Sequence, residues 1–231
     1  MEKIKNNIKR IDTLIISDLH LGTDVSQPEK VLELLKSYSF QKLILLGDVF
    51  DSLDFRDIPE KSLELIHHIG KIARKKKVRW VVGNHDQGLE KIFSPLFNSK
   101  IYETYEWKIG EKKCVAIHGH QFDRFLVDNA FLSYLATEVY NLIQKFDGKD
   151  NTLSHFLKKK SKGWLRLSDK VARSAIRFAK KRGADFVFCG HTHKALEKSS
   201  EGVRYFNSGC WTDFPADYIT IEGGDIELHQ F

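Results

Sequence analysis

Five short apolar runs divide the chain, and each stops at a cluster of polar side chains: Ile11 to Ser17, Leu43 to Leu46, Val78 to Val82, Cys114 to Ile117 and Asp185 to Cys189. Runs of this length, rich in β-branched residues and bounded by polar turns, read as buried strands. Between the first three, apolar positions recur at helical spacing. Val31 to Leu35 follow Pro28 and predict a helix from Pro28 to Tyr38, the proline suiting its first turn. Leu63, Ile66, Ile69 and Ile72 predict an amphipathic helix over Ser62 to Ala73, and Leu89, Ile92, Phe93 and Leu96 share one face of a third. Strand and helix in alternation predict an α/β fold with a parallel sheet covered by helices.

The second half departs from that alternation. Trp107 to His118 reads as a hairpin folded at Gly110-Glu111. Phe122 to Phe146 is a long helical stretch with apolar residues around more than one side. Ser168 is placed to cap a further helix, whose Val171, Ala175, Phe178 and Ala179 fit one face and which Gly183 would stop. After the strand at Asp185 to Cys189, Gly202 to Asn207 and a Tyr218 to Phe231 hairpin turning at Gly223-Gly224 predict a second layer of antiparallel character. One domain over 1–231, with a helical insertion at about 122–183, accounts for the whole pattern.

The polar clusters change the picture from fold to chemistry. In order, the strand ends carry Asp18 and His20, then Asp48, then Asn84 with His85 and Asp86, then His118, then His191 and His193. In open α/β sheets ligands bind beyond the carboxyl ends of the strands. Mixed carboxylate, imidazole and amide groups suit two divalent cations, manganese above iron, zinc or cobalt. Asp48, alone on the middle strand, is the candidate bridge. Two cations so close lower the pKa of a shared water and clamp the oxygens of a phosphoryl group, the chemistry of phosphate ester or anhydride hydrolysis. Each motif alone also reads as a turn with local side-chain hydrogen bonds; their recurrence at five strand ends is what favours a site. His67, His68, His155 and His229 read as helix-surface or packing residues, and His120 either touches the site edge or supports its turn.

Composition adds limits. No apolar run of the 231 residues reaches membrane-spanning length, and Met1 to Arg10 leads into a strand instead of a signal-peptide core. The net charge of +6 points to an anionic partner without naming it. Cys114, Cys189 and Cys210 lie far apart without metal-binding spacing, which predicts buried thiols in a reducing, cytoplasmic setting.

The five motifs in this order resemble the calcineurin-like metallophosphoesterase superfamily. The resemblance implies a four-layer α/β/β/α metallophosphoesterase sandwich with a dinuclear centre. Carried over by motif, Asp18, His20 and His193 would hold one metal and Asn84, His118 and His191 the other, with Asp48 bridging. His85 would contact the scissile phosphate as acid or transition-state donor, oriented by Asp86.

Within the superfamily the chain is similar to the UDP-2,3-diacylglucosamine diphosphatases of bacterial lipid A synthesis. The opening Ser17-Asp18-Leu19-His20-Leu21-Gly22, the helical insertion and the closing Asp225-Ile226-Glu227-Leu228 carry this. It implies a lid over acyl chains, a lipid-linked nucleotide sugar or other phosphorylated small molecule as partner, and peripheral contact with the inner membrane surface. Lys158 to Lys162, Arg166, Arg173 and Arg177 can meet a diphosphate or an anionic membrane, Lys162 and Arg166 being the substrate-binding candidates. Alternatively, the Phe-rich helix packs on a partner helix and the lysines form a solvated face. Two motifs depart from the diphosphatases: Gly-Asn-His-Asp stands here for Gly-Asn-Arg-Asp, and His-Gly-His for His-Gly-Asp. Asn207-Ser208-Gly209-Cys210-Trp211 fits a divergent branch with an Asn-x-Gly-x-Trp motif. A phosphodiesterase or nuclease would share every ligand, although no nucleic-acid-binding module is evident and none is expected as partner. A scaffold that has lost its metals is the non-enzyme alternative.

Overall fold

The computed structural model describes residues 8–52, 54–56, 58–89, 93–94, 99–123 and 162–231. Two sheets face one another. The first runs β11-β10-β1-β2-β3-β4, where β1 is Lys9–Ile16, β2 Tyr38–Leu46, β3 Lys77–Val81, β4 Lys100–Tyr102, β10 Asp217–Glu222 and β11 Asp225–Gln230. The second runs β5-β6-β7-β9-β8, from Tyr105–Ile109, Lys112–Ala116, Phe186–Cys189, Val203–Asn207 and Leu196–Ser200. Strands β1 to β4 are mutually parallel, as the alternation predicts.

Side-chain alternation along the central strands builds the layers. Leu14 and Ile16 of β1, with Leu43 and Leu45 of β2, turn outward to Leu34 and Leu35 of helix α1 (Pro28–Ser37) and to Leu65 and Ile69 of helix α2 (Glu60–Ala73). Ile15, Ile44, Leu46 and Val81 turn the other way and meet Cys114, Ala116, Phe188 and Phe206 of the second sheet. Val115, Val187 and Tyr205 then face Ala172, Ala175, Ile176 and Ala179 of helix α3 (Lys162–Lys181). A strand buried on both faces alternates between two cores, so the order helix, sheet, sheet, helix follows from period 2. This is the four-layer arrangement the resemblance implies.

Several sequence expectations are corrected. The C-terminal hairpin joins the first sheet through β1–β10 pairing, not the second layer; Ile219 and Ile221 bury there against the sheet interface. The second sheet is mixed, since β6, β7 and β9 are parallel neighbours. Helix α3 begins six residues before Ser168, which is buried within it and does not cap it. The apolar pattern assigns that helix to the insertion, yet its small-residue face forms the fourth layer. Edge strands β4 and β8 lack an apolar run long enough to announce them. Gly183 does end α3, with its backbone at φ 64° and its N–H donated to the Lys180 carbonyl. Most of the predicted helix through Leu89 and Leu96, and the Phe122 to Phe146 stretch beyond Asp123, lie outside the described residues, as does His155. All three cysteines are free and buried. No described helix is long and apolar enough to cross a membrane.

Candidate metal centre

The polar clusters beyond β1, β2, β3, β6 and β7 meet along one edge of the sheet-to-sheet seam. Asp18, His20 and His193 place one potential ligand atom each within 4.8 Å of one another, and so do Asp48, His118 and His191. A third group, His20, Asp51 and His85, adjoins them. His118 Nε2 lies 3.2 Å from Asp48 Oδ2 and 3.9 Å from Asp18 Oδ1, while His193 Nε2 lies 3.3 Å from Asp18 Oδ1. The two groups therefore share one continuous cluster.

Backbone conformation marks the same residues. Asp18, His20, Asp48, His191 and His193 all have positive φ, and among the described non-glycine residues only Glu201 joins them. Left-handed backbone costs a non-glycine residue about 1–3 kcal/mol and persists where the surroundings over-determine it, commonly at functional sites. Here the turns re-aim five side chains off their strand ends into one pocket. The motif glycines allow the loops to close. A Cβ on Gly83 would stand 2.1 Å from Asp48 Oδ1, and one on Gly190 would stand 2.4 Å from Asp18 Oδ2.

Hydrogen bonds orient the imidazoles for ligation. His118 Nδ1 lies 2.8 Å from the Leu46 carbonyl and donates to it, which leaves Nε2 with its lone pair toward Asp48. His20 Nδ1 lies 3.0 Å from Asp51 Oδ1, which turns Nε2 inward to 3.2 Å from His193 Nε2. Two ring nitrogens facing one another across that distance suit a shared electrophile. Asn84 Oδ1 is buried and accepts no hydrogen bond from the described residues, a costly state for an amide oxygen that a cation would relieve. The donor set of carboxylate, imidazole and amide oxygen thus fits divalent metal, the cofactor that the fold family implies.

Electrostatics agree. Burial works against charge on Asp48, yet His118 and His20 hold its carboxyl well below the usual range. Burial likewise opposes charge on Asp18, but His118 and His193 hold it low. Burial would depress His118, but Asp48 and Asp18 push it up to about 10. These carboxylates demand a positive partner, and a proton on His118 or a metal ion can serve.

Asp86 does not orient His85. Its carboxylate accepts the backbone N–H groups of Val49 at 3.1 Å, Phe50 at 3.1 Å and Gly83 at 3.3 Å, and the Trp80 indole at 3.3 Å. Burial and then Asp48 push its pKa up against these bonds. It ties the β2 and β3 loops together. His85 instead sets Nδ1 2.5 Å from the Asp51 carbonyl, and its backbone N–H donates to Asp48 Oδ1 at 2.9 Å.

Sequence reasoning missed Asp51 as a site residue, although it stands three after Asp48, one turn along the same loop. It missed Asp123 too, whose Oδ2 lies 3.3 Å from His191 Nε2; no motif marks that residue. The Asn207-Ser208-Gly209 segment acts as a brace. Asn207 Nδ2 donates to the Gly190 carbonyl at 2.6 Å, Ser208 Oγ donates to Ser17 Oγ at 2.7 Å, and the Trp211 N–H donates to the Asp18 carbonyl at 3.0 Å. It lashes the β1 and β7 turns to one another. His120 lines a groove of about 530 Å³ beside the centre, and burial with His118 and His191 lowers it to about 4. His67 and His68 lie on α2 away from the site, and His229 stacks on Tyr218. Arg166 is exposed on the first half of α3 and is not a member of the ligand groups, and the Lys162 side chain lies outside the described residues.

Comparison with solved structures shows the same fold at low identity. Vacuolar protein sorting 29 from Cryptosporidium parvum is 17% identical, with 96% of this chain and 97% of that one covered at a TM-score of 0.52. An archaeal phosphodiesterase is 14% identical, with 95% and 99% covered at 0.54. The phosphoesterase Yfce from E. coli is 18% identical, with 95% and 97% covered at 0.51. A search of curated protein sequences gave no match. The calcineurin-like phosphoesterase superfamily domain matches residues 11–221, almost the whole chain, and with its motifs at five strand ends the protein belongs to that superfamily.

Proposed function

We propose that this protein hydrolyses a phosphate ester or phosphoric anhydride with two divalent cations, manganese foremost. Asp18, His20 and His193 would hold one ion and Asn84, His118 and His191 the other, with Asp48 between. The single observation that carries the reading is the buried pair of acid–imidazole groups, five of whose members adopt left-handed backbone to converge. Bound cations supply Lewis acidity and acidify a water. This chain's own residues do the rest. Asp51 and the Leu46 carbonyl fix the tautomers of His20 and His118. His85, half-buried at the pocket rim and held by the Asp51 carbonyl, is placed to donate to a phosphoryl or leaving oxygen.

The substrate we favour is a lipid-linked nucleotide sugar diphosphate of the UDP-2,3-diacylglucosamine type, at a membrane surface. Its support is the motif resemblance, together with the approach of α3 to the centre: a Cβ on Gly119 would stand 3.4 Å from Val171 and 3.5 Å from His191. Arg166 precedes Val171 by little more than one turn on that helix. The second reading is a simple phosphodiester. The groove beside His120 is lined by Gln87, Tyr102 and Gln121 with the acid Glu103, which suits a neutral hydrogen-bonding leaving group better than a second phosphate.

A hydrolysis panel with manganese separates these readings. It compares a UDP-acyl-sugar, a single-stranded nucleic acid and a chromogenic diester. Preference for the acyl-sugar supports the first reading, and turnover of the diester alone supports the second. A protein that holds its metals and turns over none of them is a scaffold, and the enzymatic reading fails.

A further inference from the structure

At the opposite edge of the sandwich, the two sheets part around a cleft of about 960 Å³. Lys42 and Asp48 are six residues apart along one strand and its turn, so the cleft lies about 20 Å from the metal centre at the rise of an extended chain. Its walls come from the starts of β2, β3 and β6, the end of α2 and the β5–β6 and β10–β11 turns. Seven lysines and arginines line it against one carboxylate, Asp12, and that carboxylate accepts the Gly223 N–H at 2.8 Å. Lys112 is paired with Asp185 at 2.9 Å, outside the cleft. No other lysine or arginine of the lining has an ion-pair partner among the described residues.

Lys42 is the informative member. Its ammonium is half-buried between the sheets, 5.3 Å from the centre of the Trp107 ring and 5.8 Å from that of Tyr105. Burial holds it below the usual lysine range, and Lys77 and Arg79 add to the effect. The ring faces attract the ammonium and Asp12 favours its charge from a distance, but no described carboxylate pairs with it, and a partly desolvated ammonium without a paired anion is costly to keep. Trp107 also lines the cleft, and its indole N–H is buried without an acceptor among the described residues. Surface lysines usually hold their charges apart in water; here Arg74, Lys75, Lys76 and Lys77 are consecutive and border the same opening as Lys42.

The geometry points to an oligophosphate-binding site in this cleft, remote from the metal centre, that takes a chain of two or more phosphoryl groups from either inorganic polyphosphate or a nucleotide. The aromatic walls are already covered, Trp107 by Tyr105 and Phe188 and Phe40 by the Lys76 ammonium, so recognition falls on charge and not on a stacked base. The site stands independently of the reaction proposed above.

The test is calorimetric titration of magnesium-saturated inorganic tripolyphosphate, ATP and adenosine into the full-length, manganese-loaded protein at about 0.15 M salt, where long-range attraction is screened. Saturable binding of tripolyphosphate is expected. It should weaken about tenfold in Lys42→Met and, separately, in the exposed pair Lys75→Gln with Lys77→Gln, as loss of a cation facing an anion does. The far-ultraviolet circular dichroism spectrum and the manganese content should stay unchanged in both variants, which shows that they fold and keep the metal centre. Equal affinity for ATP assigns the site to the phosphate chain alone, and tighter ATP binding assigns it to nucleotides. Absent binding, equal affinity in both variants, binding of adenosine alone, or tighter binding of a short single-stranded RNA whose affinity grows with its length would each overturn the inference.

Discussion

The two sheets contribute different chemistry to the same pocket. Of the proposed metal ligands, the first supplies both carboxylates, Asp18 and Asp48, together with His20 and Asn84; the second supplies only imidazoles, His118, His191 and His193, with the Asp123 carboxylate set against His191. Neither sheet alone carries a charge-balanced site. The acids sit on turns braced by backbone donors, as where the His191 N–H meets both Asp18 oxygens at 3.1 and 3.0 Å. The imidazoles are aimed across the seam by Ala116 and Phe188 packing against Ile15, Ile44 and Leu46. The geometry of the candidate centre is therefore a product of sheet-on-sheet packing, and an error in that seam would separate carboxylate from imidazole.

The sharpest way to break the comparison is to remove one member from each side. Asp48→Ala deletes the central acid, so both ions should be lost and turnover of a chromogenic diester should fall by more than the roughly 100-fold that outer-shell changes reach. His191→Ala deletes a second-sheet imidazole and should leave about one ion per chain by metal analysis. Equal stoichiometry in the two variants would refute the division of labour. His85→Ala should keep both ions while the rate falls by roughly 10²–10⁴-fold, the range of general acid–base catalysis. A rate within twofold of the starting protein would remove it from the reaction.

Asp51→Asn tests the brace on His20. Metal affinity should drop by roughly 10–100-fold with the fold intact, and Asp86→Asn should instead show its main loss in thermal stability, because its carboxylate serves the backbone. Metal removal exposes a pH effect. In chelated protein, His118 is raised to about 10 by its carboxylates, so its stabilising contribution is full below its unfolded pKa of about 6.5 and is lost as pH rises through about 10. The melting midpoint should fall over that window in chelator and stay flatter with metal bound, since a ligated His118 is neutral throughout. The smallest effect is expected at His67→Ala, on the exposed face of α2, within about 0.5 kcal/mol of no change.

Much of the site is legible in the sequence without the fold. Asp18, Asp48, Asn84, His118 and His191 each follow an apolar run directly or after a single glycine or serine, so a strand prediction also predicts where the side chain emerges. Asp51 and Asp123 are not legible, because nothing local marks a carboxylate that faces an imidazole from another loop. Asp86 is legible as a residue of the site but not in its role. Its place beside His85 suggests a partner, whereas the turn points it back toward the Val49 and Phe50 amides. Ser168 shows the same limit, since a capping residue type buried within a helix is told apart only by its neighbours.

The sequence by itself determined the parallel core of the first sheet, the positions where strands end, and the residue types gathered there, because apolar periodicity and turn chemistry are local properties. Only the tertiary structure decided that the C-terminal hairpin extends the first sheet, that α3 closes the fourth layer, and which nitrogen or oxygen faces which. Those outcomes depend on contacts between residues far apart in the chain, where register, burial and competing hydrogen bonds are resolved together.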